Sequence, residues 1–188
     1  MEQEGGREVA HFLHEIGHLR RVGRSGWDLA GLARESVAEH SFRTAAIAAI
    51  LATTAGASPS RCALLAVAHD LPETRLGDHH HLAQRYVEGR ERATERAGEA
   101  QRARLPAPMG ELFDSNAYSD RERSIVADAD TLDALLFIRE EMDVTSELAQ
   151  RWCDYLIQRL RTEPARRLAD EIVLTSPSDW WLEALGEQ

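Results

Sequence analysis

Apolar positions recur along this chain at helical spacing almost from end to end. Phe12, Leu13, Ile16 and Leu19 fall at three- and four-residue steps, which predicts a first helix from Glu8 to about Val22. The segment Val22 to Arg34 carries Gly23, Gly26 and Gly31 and reads as a loop. A second helix is expected from about Glu35 to Thr54, closed by Gly56. Ser58-Pro59 signals the next start, with Ser as N-cap and Pro at the first helical position. That third helix covers Cys62 to about Glu73, and its run Ala63 to Ala68 implies burial on most sides.

The stretch His81 to Arg104 is rich in Glu, Arg and Ala and reads as a solvated helix with a thin apolar stripe. Pro106 and Pro108 break it, and Asp114 to Ser119 is expected to turn. Ser119-Asp-Arg-Glu122 is a capping box that opens a long helix to about Met142. Two further helices are expected near Ser146–Arg161 and Pro164–Val173, and a short one from Ser178. No useful strand-like alternation, internal repeat or linker interrupts this pattern. The expectation is one all-α domain over residues 1–188, with a core at about 8–142 and C-terminal helices at about 146–186.

Composition narrows the chemistry. The chain has 188 residues, enough for one domain with its own core. At 43% hydrophobic and 29% charged it has the balance of a soluble globular protein. Its net charge of −10, without a long basic run, argues against binding the backbone of long nucleic acids. All 22 basic residues are Arg, so a Schiff-base lysine and a Walker-A lysine are both excluded. Cys62 and Cys153 make neither a disulfide framework nor a C-x-x-C pair. The polar start Met1–Arg7 does not resemble a signal peptide. The longest apolar run, Ala45 to Ala52, is far short of the roughly 20 residues of a membrane span, so a cytoplasmic location is expected.

The informative residues are charged groups inside apolar helices. His69-Asp70 follows Ala63-Leu-Leu-Ala-Val-Ala68, and His40 lies between Val37 and Phe42 before the apolar run Ala45–Leu51. Asp128 and Asp130 fall inside Ile125-Val-Ala-Asp-Ala-Asp-Thr-Leu. Burying a carboxylate costs several kcal/mol unless a cation or several donors compensate. Each residue alone could be a core histidine, a helix cap or an Arg partner. Together they are most simply explained by convergence on one divalent metal. Imidazole with carboxylate suits Zn, Mn, Fe or Co better than Ca or Mg.

The order His40, His69-Asp70, Asp130 resembles the HD-domain metal-dependent phosphohydrolases. Arg24-Ser-Gly-Trp27, Glu35-Ser-Val-Ala-Glu-His40-Ser, His69-Asp70-Leu-Pro-Glu73, Gly77-Asp78 and Asp128-Ala-Asp130-Thr-Leu-Asp133 are similar to the branch with the bacterial YfbR-type 5′-deoxynucleotidases. The similarity runs from about Phe12 to Met142. It implies a helical HD fold with His40, His69, Asp70 and Asp130 as metal ligands, and Asp128 as the rival for the last place. It implies one divalent transition metal (Mn, Co, Zn or Fe) with a second left open. Glu73, expected on the same helix face as His69 and Asp70, matches the family's proton-handling acid. Asp78 matches its second acid, near sugar and leaving group, and the two roles are exchangeable. Arg24 and Trp27 match residues that hold phosphate and base or sugar. The implied reaction is hydrolysis of the 5′-phosphate of a (deoxy)nucleoside monophosphate, in a protein whose relatives commonly form homodimers.

One segment departs from the family. After Gly77-Asp78, relatives usually continue with Ile and Pro, where this chain has His79-His80-His81. These histidines have three readings: exposed loop residues, contributors to a second metal, or the wall of a different leaving-group pocket. Two other activities stay open on the same fold. One is hydrolysis of another phosphorylated metabolite or of a nucleoside di- or triphosphate, and the other is paired-iron oxygen chemistry.

Overall fold

The computed structural model describes residues 2–186, and these are helical with short connecting turns. The helices are α1 (Glu2–Ile16), α2 (Val37–Ala55), α3 (Pro59–Ala68), α4 (Glu73–Leu76), α5 (His81–Gln84), α6 (Arg90–Arg102), α7 (Ala107–Leu112), α8 (Asp120–Glu141), α9 (Glu147–Arg159), α10 (Glu163–Leu174) and α11 (Asp179–Gly186). Among the described residues there is no named strand, and no helix is long and apolar enough to cross a membrane. The all-α expectation is met.

α2 packs against both α3 and α8, and α9 and α10 lie against α8. Ile47, Leu51, Leu65, Ile125, Leu132, Leu135 and Ile138 fill the space between them, each at most 6% exposed. Burying each such side chain contributes about 1.5–3 kcal/mol, so this three-helix contact anchors the fold. A smaller cluster of Phe12, Leu19, Val37, Ala68 and Leu71 ties the N-terminal segment to the ends of α2 and α3.

The capping box at Ser119 opens α8 as expected: Glu122 N–H donates to Ser119 Oγ at 3.3 Å, and Ser119 N–H to Glu122 Oε2 at 2.8 Å. Ser36 and Glu39 form a second box at the start of α2. Ser58 holds the N-cap position of α3, but its side chain makes no capping bond.

Several boundaries differ from the sequence pattern: the first helix starts at Glu2 rather than Glu8, and the expected loop holds a 3₁₀ helix over Ser25–Ala30. The first helix tightens to a 3₁₀ turn over Gly17–Arg21. The third ends at Ala68 rather than Glu73, because Pro72 lacks an N–H and its ring would clash with the carbonyl of Ala68. The single helix expected over His81–Arg104 is two, α5 and α6, divided where Gly89 takes a left-handed conformation at φ +71°. Pro108 does not simply break the chain. It lies in the first turn of α7, where a missing N–H is tolerated.

Candidate metal centre

The site forms where three helices of the core meet. His40 lies in the first turn of α2, His69 and Asp70 at the C-terminal end of α3, and Asp130 midway along α8. A fourth segment joins them through the backbone. Gly23 and Ser36 form an antiparallel bridge, Arg24 N–H donates to Glu35 O at 2.9 Å and Val37 N–H to Val22 O at 2.8 Å. A Cβ on Gly23 would lie 2.6 Å from Arg34 Cδ, so a larger residue here would push the Arg34 side chain aside. The bridge carries Arg24 to the base of the site.

His40 Nε2 lies 3.2 Å from Asp130 Oδ1 and 3.4 Å from Asp70 Oδ2. His69 Nε2 is 3.2 Å from Asp70 Oδ2. Ligand atoms of His40, His69 and Asp130 all fall within 4.8 Å of one another. Both imidazoles are held from behind. His40 Nδ1 is 2.6 Å from Asp133 Oδ2, and His69 Nδ1 is 2.5 Å from the carbonyl of Ala66. A carbonyl only accepts and an ionised carboxylate only accepts, so each Nδ1 carries the proton. With Nδ1 engaged in this way, Nε2 is the atom each ring can offer to the shared space, the form a metal ligand takes once Nε2 carries no proton.

The electrostatics point the same way. Burial lowers the His40 pKa, yet Asp130, Asp133 and Asp70 outweigh it and drive it well above its ordinary value. Burial raises Asp70, but His69, His40 and Arg24 hold it down at about 2. Against the same burial, His40 and Arg24 keep Asp130 far below the usual carboxylate range. The point between these groups attracts positive charge. His69 Nε2 and Asp70 Oδ2 are buried and make no hydrogen bond within the protein. Two imidazoles, two carboxylates and two unsatisfied donor atoms fit a divalent metal with N and O ligands.

Asp128 is engaged elsewhere. Its Oδ1 accepts from Arg161 N–H at 2.8 Å, and its Oδ2 from Thr162 N–H at 2.8 Å and Thr162 Oγ1 at 2.6 Å. It ties the loop before α10 to α8, on the side of the helix away from Asp130.

Arg24 spans the carboxylates, at 3.3 Å from Asp130, 3.5 Å from Asp70 and 3.7 Å from Asp78. Asp78 is aimed by Ser25, whose N–H and hydroxyl both donate to Oδ2, at 2.6 and 2.7 Å. Glu73 does not continue the helix of Asp70, as the face argument expected, because the helix breaks at Pro72. It begins α4, and its N–H donates to the carbonyl of Asp70 at 3.0 Å. Glu73 is 8% exposed, and burial, then Asp70 and Asp78, push its carboxyl up to about 9.

These groups line a cleft of about 630 Å³. Trp27 lines it too but is 3% exposed, stacked on Phe137 at 4.3 Å and against Trp152 at 5.4 Å. Its ring is largely committed to the core. His79, His80 and His81 all contribute to the wall. His80 also caps α5, its Nδ1 accepting from Ala83 N–H at 3.1 Å, which orders the segment rather than leaving it a free loop. The other cluster with ligand spacing, Glu35, His40 and Asp133, already holds a cation: Arg43 Nε lies 2.6 Å from Asp133 and Nη2 3.6 Å from Glu35.

The profile of the HD domain matches residues 16–149. The chain belongs to the HD-domain family. Over 148 residues this HD protein is 32% identical to the 5′-deoxynucleotidase YfbR of Escherichia coli, covering 71% of the chain and 73% of that protein. It superposes on a structural-genomics crystal structure with a TM-score of 0.74 and 32% identity, over 93% of the chain and 99% of the other. A cyanophage S-2L HD phosphohydrolase, DatZ, bound to dA and one catalytic Zn²⁺, shares the fold at a TM-score of 0.57 and 17% identity, over 86% and 91% of the two chains.

The HD match leaves part of the cleft unaccounted for. Trp152, Tyr155 and Leu156 of α9 form its apolar wall and lie beyond residue 149. The sequence reading missed them, although their one-sided helical spacing was a visible signal. It also gave no role to Ser25 and Asp133, which act through Asp78 and His40, or to Arg90, which brings another guanidinium to the wall.

Proposed function

We propose that this HD-domain protein hydrolyses the 5′-phosphate of (deoxy)nucleoside monophosphates. A single divalent transition metal would be held by His40, His69, Asp70 and Asp130. The observation that carries the reading is the pair of imidazoles held at Nδ1 with Nε2 beside Asp70 and Asp130, two carboxylates that line a cleft together with Arg24, Glu73 and Asp78.

When bound there, the metal supplies Lewis acidity toward a phosphoryl oxygen and lowers the pKa of water. Arg24 meets the phosphoryl oxygens and offsets the charge that spreads over them in the transition state. Its contacts with Asp70, Asp78 and Asp130 hold the guanidinium in place before substrate arrives. Glu73 keeps a proton at neutral pH and delivers it to the leaving 5′ oxygen. A divalent cation nearby favours its carboxylate form and brings its pKa down from about 9 toward the working pH. Asp78 accepts two hydrogen bonds from Ser25 and orients Arg24, so the proton-donor role falls to Glu73. The apolar wall of α9 accommodates the nucleoside.

The test is phosphate release from nucleoside 5′-mono-, di- and triphosphates. Chelator-stripped protein would be refilled separately with Mn, Co, Zn, Fe or Mg. Release from monophosphates, restored by a transition metal and lost in His69→Ala, supports the reading. Release from triphosphates alone, or equal release without metal, contradicts it.

A further inference from the structure

The cleft is lined by two chemically distinct sets of residues. One is the charged group Asp70, Asp130, Glu73 and Arg24, and the other is Trp152, Tyr155 and Leu156 on α9. Leu156 is 4% exposed and Trp152 packs on Trp27, so both are anchored in the core. Tyr155 differs: it lines the cleft and yet is 44% exposed. Its position is restrained from outside. Arg159, one helical turn later, donates from Nη1 to the Tyr155 hydroxyl at 3.1 Å, and its guanidinium lies over the ring at 5.4 Å. The hydroxyl and one side of the ring are thereby occupied, while much of the residue stays accessible beside the cleft.

An exposed aromatic ring held in one orientation on a rigid helix is a stacking platform. We propose that Tyr155 is the surface on which the planar base of a nucleoside 5′-monophosphate stacks, with Arg159 as its brace. Selectivity for a base-bearing substrate over a bare sugar phosphate then resides in α9, while the metal end handles the phosphate alone. This rests on the phosphohydrolase reading above and deepens it. The guanidinium supports the ring from one side and polarises it, which strengthens stacking on the other. Because stacking tolerates any base, the platform selects for the presence of a base more than for its identity.

The experiment compares a nucleoside 5′-monophosphate with 2-deoxyribose 5-phosphate, which lacks the base, on the metal-loaded full chain. Tyr155→Ala should lower kcat/KM for the nucleotide roughly five- to hundred-fold, mainly through KM. It should lower hydrolysis of deoxyribose 5-phosphate far less, so that the preference for the nucleotide collapses. Tyr155→Phe, which keeps the ring, should retain most of the wild-type preference. A thermal melt of each variant checks that a change in KM is not loss of fold. Equal losses on both substrates, or no loss on either, overturn the platform while leaving the phosphohydrolase reading intact. If wild type releases phosphate from neither substrate, the underlying reading fails and the platform falls with it.

Discussion

His40 and Asp133 form a fully enclosed pair. Nδ1 lies 2.6 Å from Oδ2, and both side chains are 0% exposed. Asp133 is in turn held by Arg43, whose Nε reaches Oδ1 at 2.6 Å and whose Nη1 meets both oxygens of Glu140. The chain Glu140–Arg43–Asp133–His40 transmits the rigidity of two helices to His40 Nε2, the nitrogen proposed to face the metal. A ligand held this way loses little freedom on binding and keeps its lone pair correctly aimed.

Asp133→Asn therefore weakens metal binding without removing a ligand. The expected loss is about 10- to 100-fold in affinity, the range for partners behind a metal-bound imidazole. Titration of the stripped protein with a divalent transition metal measures it. Asp133→Ala should also lower the thermal midpoint, because it leaves the Arg43 guanidinium without its buried partner.

Substitutions at Asp128 and Asp130 should separate stability from function. Asp128 satisfies two backbone donors and one hydroxyl at the start of α10. Asp128→Ala should cost roughly 1–3 kcal/mol for each donor left without a partner, seen in a denaturant melt, with metal content preserved. Asp130→Ala should do the reverse, emptying the centre while the helical fold persists.

Glu73→Gln removes the proposed proton donor and keeps the shape. Phosphate release should fall about 10²- to 10⁴-fold with metal still bound. In wild type the rate should decline on the alkaline side as Glu73 loses its proton, at a pH no higher than about 9. A pH profile of kcat checks this limb, which the Gln variant should lack.

Two carboxylates remote from the metal centre should contribute to acid stability. Arg75, bonded to Glu15 through two nitrogens, holds Glu15 at about 2 against an ordinary value of 4.5. Arg61 and the Ser119 cap do the same for Glu122, also to about 2 from 4.5. Between those values the unfolded chain binds more protons than the folded one, so stability rises with pH there. Their contribution is complete above pH 4.5 and drains away as the pH falls toward 2. Thermal melts across this window should be flatter in Glu15→Gln and Glu122→Gln than in wild type.

Much of this was legible in the sequence because it was local. Helical spacing, the Ser119 capping box and the Gly56 stop depend on neighbours a few residues apart, and the elements they indicate are present. His40, His69, Asp70 and Asp130 stood out as charges in apolar runs, and the structure draws them together. The misses were of a different kind. Pro72 and Gly89 override a periodic pattern through the backbone, which apolar spacing does not register. Trp27 read as a loop residue, but pairing with Phe137 and Trp152 across two helices draws it into the core. Asp133 owes its place behind His40 to a contact across 93 residues that only tertiary packing supplies.

The central claim is that one divalent metal per chain, held by His40, His69, Asp70 and Asp130, is what makes this HD domain a phosphohydrolase. The most direct measurement is metal content and phosphate release followed together as stripped protein is titrated with a transition metal. The account predicts that activity rises linearly and stops at one equivalent, and that His69→Ala neither binds metal nor releases phosphate. Full activity in the stripped protein, or in His69→Ala, would contradict it.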